Sequence, residues 1–183
     1  MRHVSIAGWS ATLVLSLTSL LCAPHATGAG KTPPPEAGPL PRGLAPSEVG
    51  LPLPEPELVR SPPAGTIETP PEYAPQEGIL ISWEGYTAVL TDIAVAVTTM
   101  DPVAMVYILV DGPSEASTVT STLTSAGADL GQVELITYAS DTVWIRDYGP
   151  RFLFVDGVRS VMDHAYNRPR PDDNAFPDFL AAL

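Results

Sequence analysis

The chain has 183 residues with 9 Lys+Arg against 21 Asp+Glu, a formal net charge of -12. That balance disfavours non-specific affinity for nucleic acid or anionic membrane and suits a cationic ligand. Cys22 is the single cysteine, so the rest of the chain can build no disulfide, zinc-thiolate site or cysteine nucleophile.

Residues 1 to 30 read as a secretory signal: Arg2 and His3 open it, "VLSLTSLLCA" is its apolar run, and "ATGAG" offers small residues for cleavage. The run is short and rich in Ser and Thr for a membrane span, and Leu21 stands where a lipoprotein signal needs a small residue before Cys22. An exported protein with no membrane association after cleavage is expected; the alternative is an uncleaved anchor. Residues 31 to 71 follow. Fourteen of the 21 prolines lie between Pro33 and Pro75, without helical or strand period. This is expected to be a disordered, proline-rich linker, with a proline-motif ligand as the other reading.

The patterned part, 72 to 183, is long enough for one small domain or part of a larger one. Residues 78 to 83 form an apolar strand. Residues 86 to 99 put Tyr86, Leu90, Ile93 and Val97 on one helical face. "VAMVYILVD" is a run of β-formers that predicts a strand covered on both sides. Ser114 can cap a second helix with Val119 and Leu123 inward and Gly127 at its end. "VELITY" gives another buried strand, and "RFLFV" and "VRSVMDH" form a hairpin about Asp156-Gly157. The alternation predicts an α/β fold. "FPDFLAAL" reads as a helix begun and not finished, so the chain is expected to end inside an element.

Two stretches carry chemistry. In "DTVWIRDYGP", Asp147 sits in an apolar loop between Trp144 and Tyr148, a poor place for a carboxylate that meets no cation. A guanidinium would satisfy it through two parallel N–H donors, with an indole face along the ligand's stem. The alternative is a pair with Arg146, or a cap on the turn before Gly149-Pro150. In "YNRPRPDDN", Arg168 and Arg170 are spaced by Pro169 and can converge on an anion, a carboxylate by preference. The alternative is pairing with Asp172 and Asp173. Asp163, His164, Asp172 and Asp173 match no metal-ligand spacing, so no metal or cofactor is expected. His164 reads as a strand residue with a satisfied ring.

"PPEYAPQEGILISW", "DTVWIRDYGPRFLF" and "DHAYNRPRPDDNAFP", taken together and in this order, resemble the bacterial, Porphyromonas-type peptidylarginine deiminases of the agmatine-deiminase superfamily over residues 70 to 179. The resemblance implies an incomplete pentein, the first blade or two of a five-bladed α/β propeller. It implies hydrolysis of the guanidinium of peptidyl arginine, C-terminal by preference, to citrulline and ammonia through a thiouronium on a cysteine. Asp147 would then bind the guanidinium, Trp144 line the substrate stem, and Arg168 and Arg170 hold the substrate carboxylate. The family's histidine, second aspartate and nucleophilic cysteine have no counterpart here, so the chain is expected to be the first third or half of a deiminase and inactive alone. Three readings stand beside it: a non-catalytic secreted arginine-binding module, an ordinary periplasmic ligand-binding lobe, and an agmatine deiminase serving putrescine synthesis. Agmatine would leave an arginine pair with no carboxylate to hold.

Overall fold

The computed structural model describes residues 2–3, 38–56, 64–71 and 73–183. The expected signal at 1–30 lies almost wholly outside the described residues, as do 31–37 and 57–63 of the expected linker. Among the described residues no helix is long and apolar enough to cross a membrane.

The strands are β1 (Arg2–His3), β2 (Ile67–Glu68), β3 (Gly78–Ser82), β4 (Met105–Val110), β5 (Val133–Thr137), β6 (Arg151–Val155) and β7 (Val158–Met162). The helices are α1 (Thr87–Met100), α2 (Pro113–Ala126), α3 (Ile145–Tyr148) and α4 (Pro171–Leu180). A parallel sheet takes the order β3-β4-β5, with Ile81 opposite Ile108 and Ile108 opposite Leu135. An antiparallel sheet takes the order β1-β7-β6-β2. The fold is α/β, as the alternation of elements predicts.

The parallel sheet is covered on both sides, which explains why its central strand is apolar without alternation. On one face Ile81, Val106, Ile108 and Val110 pack against Leu90 and Ala94 of α1 and Val119 and Leu123 of α2. On the other face Leu109 meets Tyr148, Tyr166 and Phe176, with Ile145 and Phe179 at the margin. Each fully buried aliphatic side chain contributes about 1.5–3 kcal/mol, so these two layers outweigh any exposed ion pair. The second layer is built from both motif-bearing stretches, and this fixes them against the sheet.

Four details differ from the sequence reading. Tyr86 lies outside α1 at a left-handed φ of 51°, half exposed, and Ile93 faces out. Leu90 and Val97 pack inward as expected, and the buried stripe is completed by Thr91, Ala94 and Thr98; Thr98 is buried cheaply because its hydroxyl donates to Ala94 O at 2.9 Å. The second helix is capped by Gly112, with Ser114 inside its first turn; Val119, Leu123 and Gly127 fall as expected, Gly127 at φ 87°. α4 begins at Pro171, five residues before "FPDFLAAL", because proline suits a first helical turn and Asp141 caps that turn from a distance. It closes at Leu180, where Ala181 N–H donates to Pro177 O at 3.0 Å.

The linker expectation needs the largest correction. Residues 39–48 lie on the domain: Ala45 and Glu48 are buried and a 3-10 turn spans Pro46–Glu48. Further on, β2 pairs with β6, and Asp156 in the β6–β7 turn takes the N–H of Thr66 on Oδ1 at 2.8 Å. Proline removes backbone donors but leaves carbonyls free, and four carbonyls join the Glu48 and Arg42 side chains in docking residues 39–48.

Candidate guanidinium site

α3 is one short turn, and its shape is imposed from outside. Tyr148 OH donates to Thr142 O at 2.6 Å, and Gly149 N–H closes onto Ile145 O at 2.6 Å. The fully buried Asp173 accepts the N–H groups of Asp141 (2.8 Å) and Thr142 (3.1 Å) on Oδ1 and the Thr142 hydroxyl on Oδ2 (2.7 Å). Asp141 returns the contact: its Oδ2 accepts the N–H groups of Asp172 (3.0 Å) and Asp173 (3.3 Å) in the first turn of α4. Asn174 Oδ1 accepts Tyr166 N–H at 2.8 Å. The start of α4 therefore clamps both motif stretches at once. Asp172 and Asp173 serve this clamp and are not the partners of the two arginines.

Burial first, then the neighbouring Asp141 charge, push the Asp173 carboxyl up to about 7, against the pull of its hydrogen bonds. Burial also raises the Tyr148 phenol well above its usual range. Glu84, with Asp111 and Glu115 beside it, is held at about 8 by burial and then by those two charges. Nothing in the sequence spacing flags this three-carboxylate group.

Asp147 meets a guanidinium, and it belongs to Arg42. Nε donates to Oδ2 at 2.8 Å and NH2 donates to Oδ1 at 3.1 Å, the two-point fork that suits a carboxylate. These hydrogen bonds hold the Asp147 carboxyl below its usual range, against burial, and the charges of Arg42, Arg168 and Arg146 work in the same direction. Neither alternative considered for Asp147 describes this fork. Trp144 is half-buried beside Tyr86, with ring centroids 6.1 Å apart, and its Nε1–H donates to Leu40 O at 3.0 Å.

The arginine pair divides. Arg168 Nε donates to Arg42 O at 3.2 Å, and its NH1 donates to Asn167 O and Oδ1. Arg170 is buried: Nε donates to Glu48 Oε1 at 2.7 Å, and NH2 donates to Glu48 Oε2 (3.1 Å), Pro41 O (2.7 Å) and Gly43 O (2.9 Å). Burial works against the Arg170 charge, and the Glu48 carboxylate more than offsets it. The two side chains thus take three consecutive carbonyls, of residues 41, 42 and 43. The sequence reading has both converge on an anion; here they converge on main-chain carbonyls, and only Arg170 meets a carboxylate, that of Glu48.

A cleft of about 410 Å³ lies beside this fork, lined by Arg42, Asp147, Arg151, His164, Tyr166 and Arg168. His164 lies in the loop after β7. Its Nε2 is 3.1 Å from Asp147 O, a carbonyl that can only accept, so this contact has Nε2 as the donor; among the described residues Nδ1 is buried without a partner. Arg42 and Glu48 are the partners of Asp147 and Arg170 that sequence reasoning missed. Their only signal is that they are charged residues in a proline-rich stretch of alternating small and apolar residues.

The sequence model of the Porphyromonas-type peptidyl-arginine deiminases matches residues 68–177. A Streptomyces coelicolor protein named "Putative agmatine deiminase" is 35% identical over 101 residues, covering 48% of this chain and 27% of that protein. Two solved structures are similar in part. Agmatine deiminase of C. jejuni is 22% identical, with a TM-score of 0.49 over 63% of this chain and 36% of that one. The "Putative Arginine Deiminase" of Porphyromonas gingivalis is 18% identical, with a TM-score of 0.48 over 64% and 37%. The chain spans between 27% and 37% of the lengths of these relatives. The matched stretch contains Trp144, Asp147, Arg168 and Arg170 and more than half of the sequence, and on this ground the chain belongs to the Porphyromonas-type peptidyl-arginine deiminase family.

Proposed function

We propose that this chain supplies the substrate-binding part of an exported enzyme that hydrolyses the guanidinium of peptidyl arginine to citrulline and ammonia. One observation carries the reading: a single arginine residue, Arg42, has its guanidinium forked on Asp147 and its main-chain carbonyl on Arg168. Asp147 fixes the planar cation, and Arg168 meets the carbonyl or carboxylate at the other end of the same residue. Trp144, on the turn that carries Asp147, supplies the indole beside the stem. The thiolate that would attack the guanidinium carbon, and the acid that would protonate the leaving ammonia, are not assigned to residues of this chain. The five-bladed propeller implied by the resemblance belongs to this proposal, as do export through residues 1–30 and a peptide or protein partner.

A second reading has a specific observation in its favour. Arg170 has its Nε and NH2 engaged by Glu48 and by main-chain carbonyls, so a carboxylate clamp would rest on Arg168. A guanidinium site with little carboxylate recognition fits agmatine, the substrate named for the Streptomyces coelicolor and C. jejuni relatives.

Calorimetric titration of the 183-residue chain carrying Arg42→Ala, which uncovers Asp147, separates the two. Nα-acetyl-arginine is expected to bind more tightly than agmatine, and Asp147→Asn in that background to weaken both by roughly ten- to hundredfold, the worth of a charge-assisted hydrogen bond. Agmatine binding as tightly as acetyl-arginine would transfer the conclusion to an agmatine-type enzyme. Undiminished binding after Asp147→Asn would remove the guanidinium site altogether.

A further inference from the structure

We propose that Pro39–Glu48 is a tethered pseudosubstrate, with Arg42 holding the place of a substrate arginine until a substrate displaces it. The inference rests on the reading of Asp147 as the guanidinium site, and it adds what occupies that site in the resting chain.

The segment has the parts such a device needs, and they are physically distinct. Its anchor is buried: Glu48 forks onto Arg170 while accepting Ala45 N–H at 2.6 Å, and Ala45 is fully enclosed. Its other end has a shaped seat. Pro39 packs against Gly85, where a Cβ would lie 2.6 Å from the proline ring, and Gly85 also has a left-handed φ of 79°. Between the two, the carbonyls of residues 40 to 43 are held in turn by Trp144, Arg170, Arg168 and again Arg170. Every one of Trp144, Asp147, Arg168 and Arg170 therefore touches the segment.

The arginine itself is the weak point. The Arg42 side chain is 69% exposed and that of Asp147 27%, and an exposed ion pair of this kind is easily exchanged for another. Arg42 competes because it is tethered a few residues from a buried anchor, which gives it a local concentration no dilute ligand has. A ligand with a guanidinium at one end and a carbonyl or carboxylate at the other replaces both contacts of Arg42 while the Glu48–Arg170 anchor stays in place. Release of the plug and retention of the fold are thus separable.

The test compares binding of Nα-acetyl-arginine by the unaltered 183-residue chain and by Arg42→Ala, with Arg42→Ala/Asp147→Asn as the control for the site. Arg42 is exposed, so its removal is expected to leave the thermal melt unchanged, and the melt is recorded for each protein. Arg42→Ala is expected to bind about tenfold more tightly than the unaltered chain, the order of gain expected when a tethered competitor is lost, and the double variant to lose that binding. A gain below threefold, with binding still abolished by Asp147→Asn, overturns the pseudosubstrate and leaves the guanidinium site standing. Equal binding by Arg42→Ala and the double variant overturns the site reading on which the proposal rests. Binding by none of the three proteins overturns both.

Discussion

Replacing Arg170 by alanine is expected to lower the stability of the folded chain by roughly 3–5 kcal/mol, the usual consequence of leaving one partner of a buried ion pair uncompensated. Arg170 is 1% exposed and Glu48 8% in their side chains. The loss leaves the Glu48 carboxylate buried with only Ala45 N–H, and it frees the carbonyls of Pro41 and Gly43. Denaturant titration followed by tryptophan fluorescence measures it. Glu48→Gln is expected to cost less, because the amide oxygen still accepts from the guanidinium. The same link has a pH signature. The Glu48 carboxyl lies below its ordinary 4.5 in the folded chain: burial pushes it up, and Arg170, Ala45 N–H and the more distant Arg168 charge pull it further down. A folded value below the unfolded one means that the contribution is fully present above 4.5 and lost as pH falls through the lowered value. A loss under 1 kcal/mol for Arg170→Ala would show that the arginine is not held as described.

The second large effect is expected at Asp173. Alanine there strands three donors, the half-buried N–H of Asp141 and the buried N–H and hydroxyl of Thr142, at about 3–4 kcal/mol in total. The damage extends to the site, because this clamp fixes the turn carrying Trp144 and Asp147. The pH dependence here runs opposite to that of Glu48. With a folded value raised to about 7 from 3.8, the folded chain holds the proton more tightly than the unfolded one. Its contribution is greatest below 3.8, diminishes as pH rises to about 7, and is constant above that. Asp173→Asn keeps an acceptor in place and is expected to remove the Asp173 share of this slope at a smaller cost than alanine, leaving the share of Glu84, whose carboxyl is raised to about 8. Urea midpoints for the unaltered chain, alanine and asparagine variants at pH 4, 5.5 and 7.5 decide it. An unchanged slope in Asp173→Asn would assign the dependence to another group.

How far the sequence carried this structure depends on what kind of contact holds each part. Strands β4 and β5, helices α1 and α2, and the β6–β7 hairpin announce themselves because side-chain period and turn chemistry create them. Asp156 at φ 50° and Gly157 at φ 78° are the turn that an Asp-Gly pair between apolar strands predicts. Asp147 and the arginine pair stood out for a related reason, since each is a charge in surroundings that reward it only with a partner. The partners themselves were hidden. Arg42 is 105 residues from Asp147 and Glu48 is 122 from Arg170, in a stretch whose prolines removed the period that reveals packed structure. Four of its contacts are through main-chain carbonyls, which every residue carries and no side-chain pattern reports. The Asp141–Asp173 clamp was missed likewise, because reciprocal capping across 31 to 32 residues looks in sequence like scattered acidic residues.

Asp147 and Arg168 together hold one arginine residue, Arg42 in the resting chain. A crystal structure of the Arg42→Ala chain grown with Nα-acetyl-arginine tests it most directly. The ligand's guanidinium is expected to fork on both oxygens of Asp147 and its carboxylate to lie on Arg168, with Glu48 still paired with Arg170. A ligand bound away from Asp147, or an Asp147 carboxylate turned to another arginine of the chain while the ligand lies elsewhere, would contradict it.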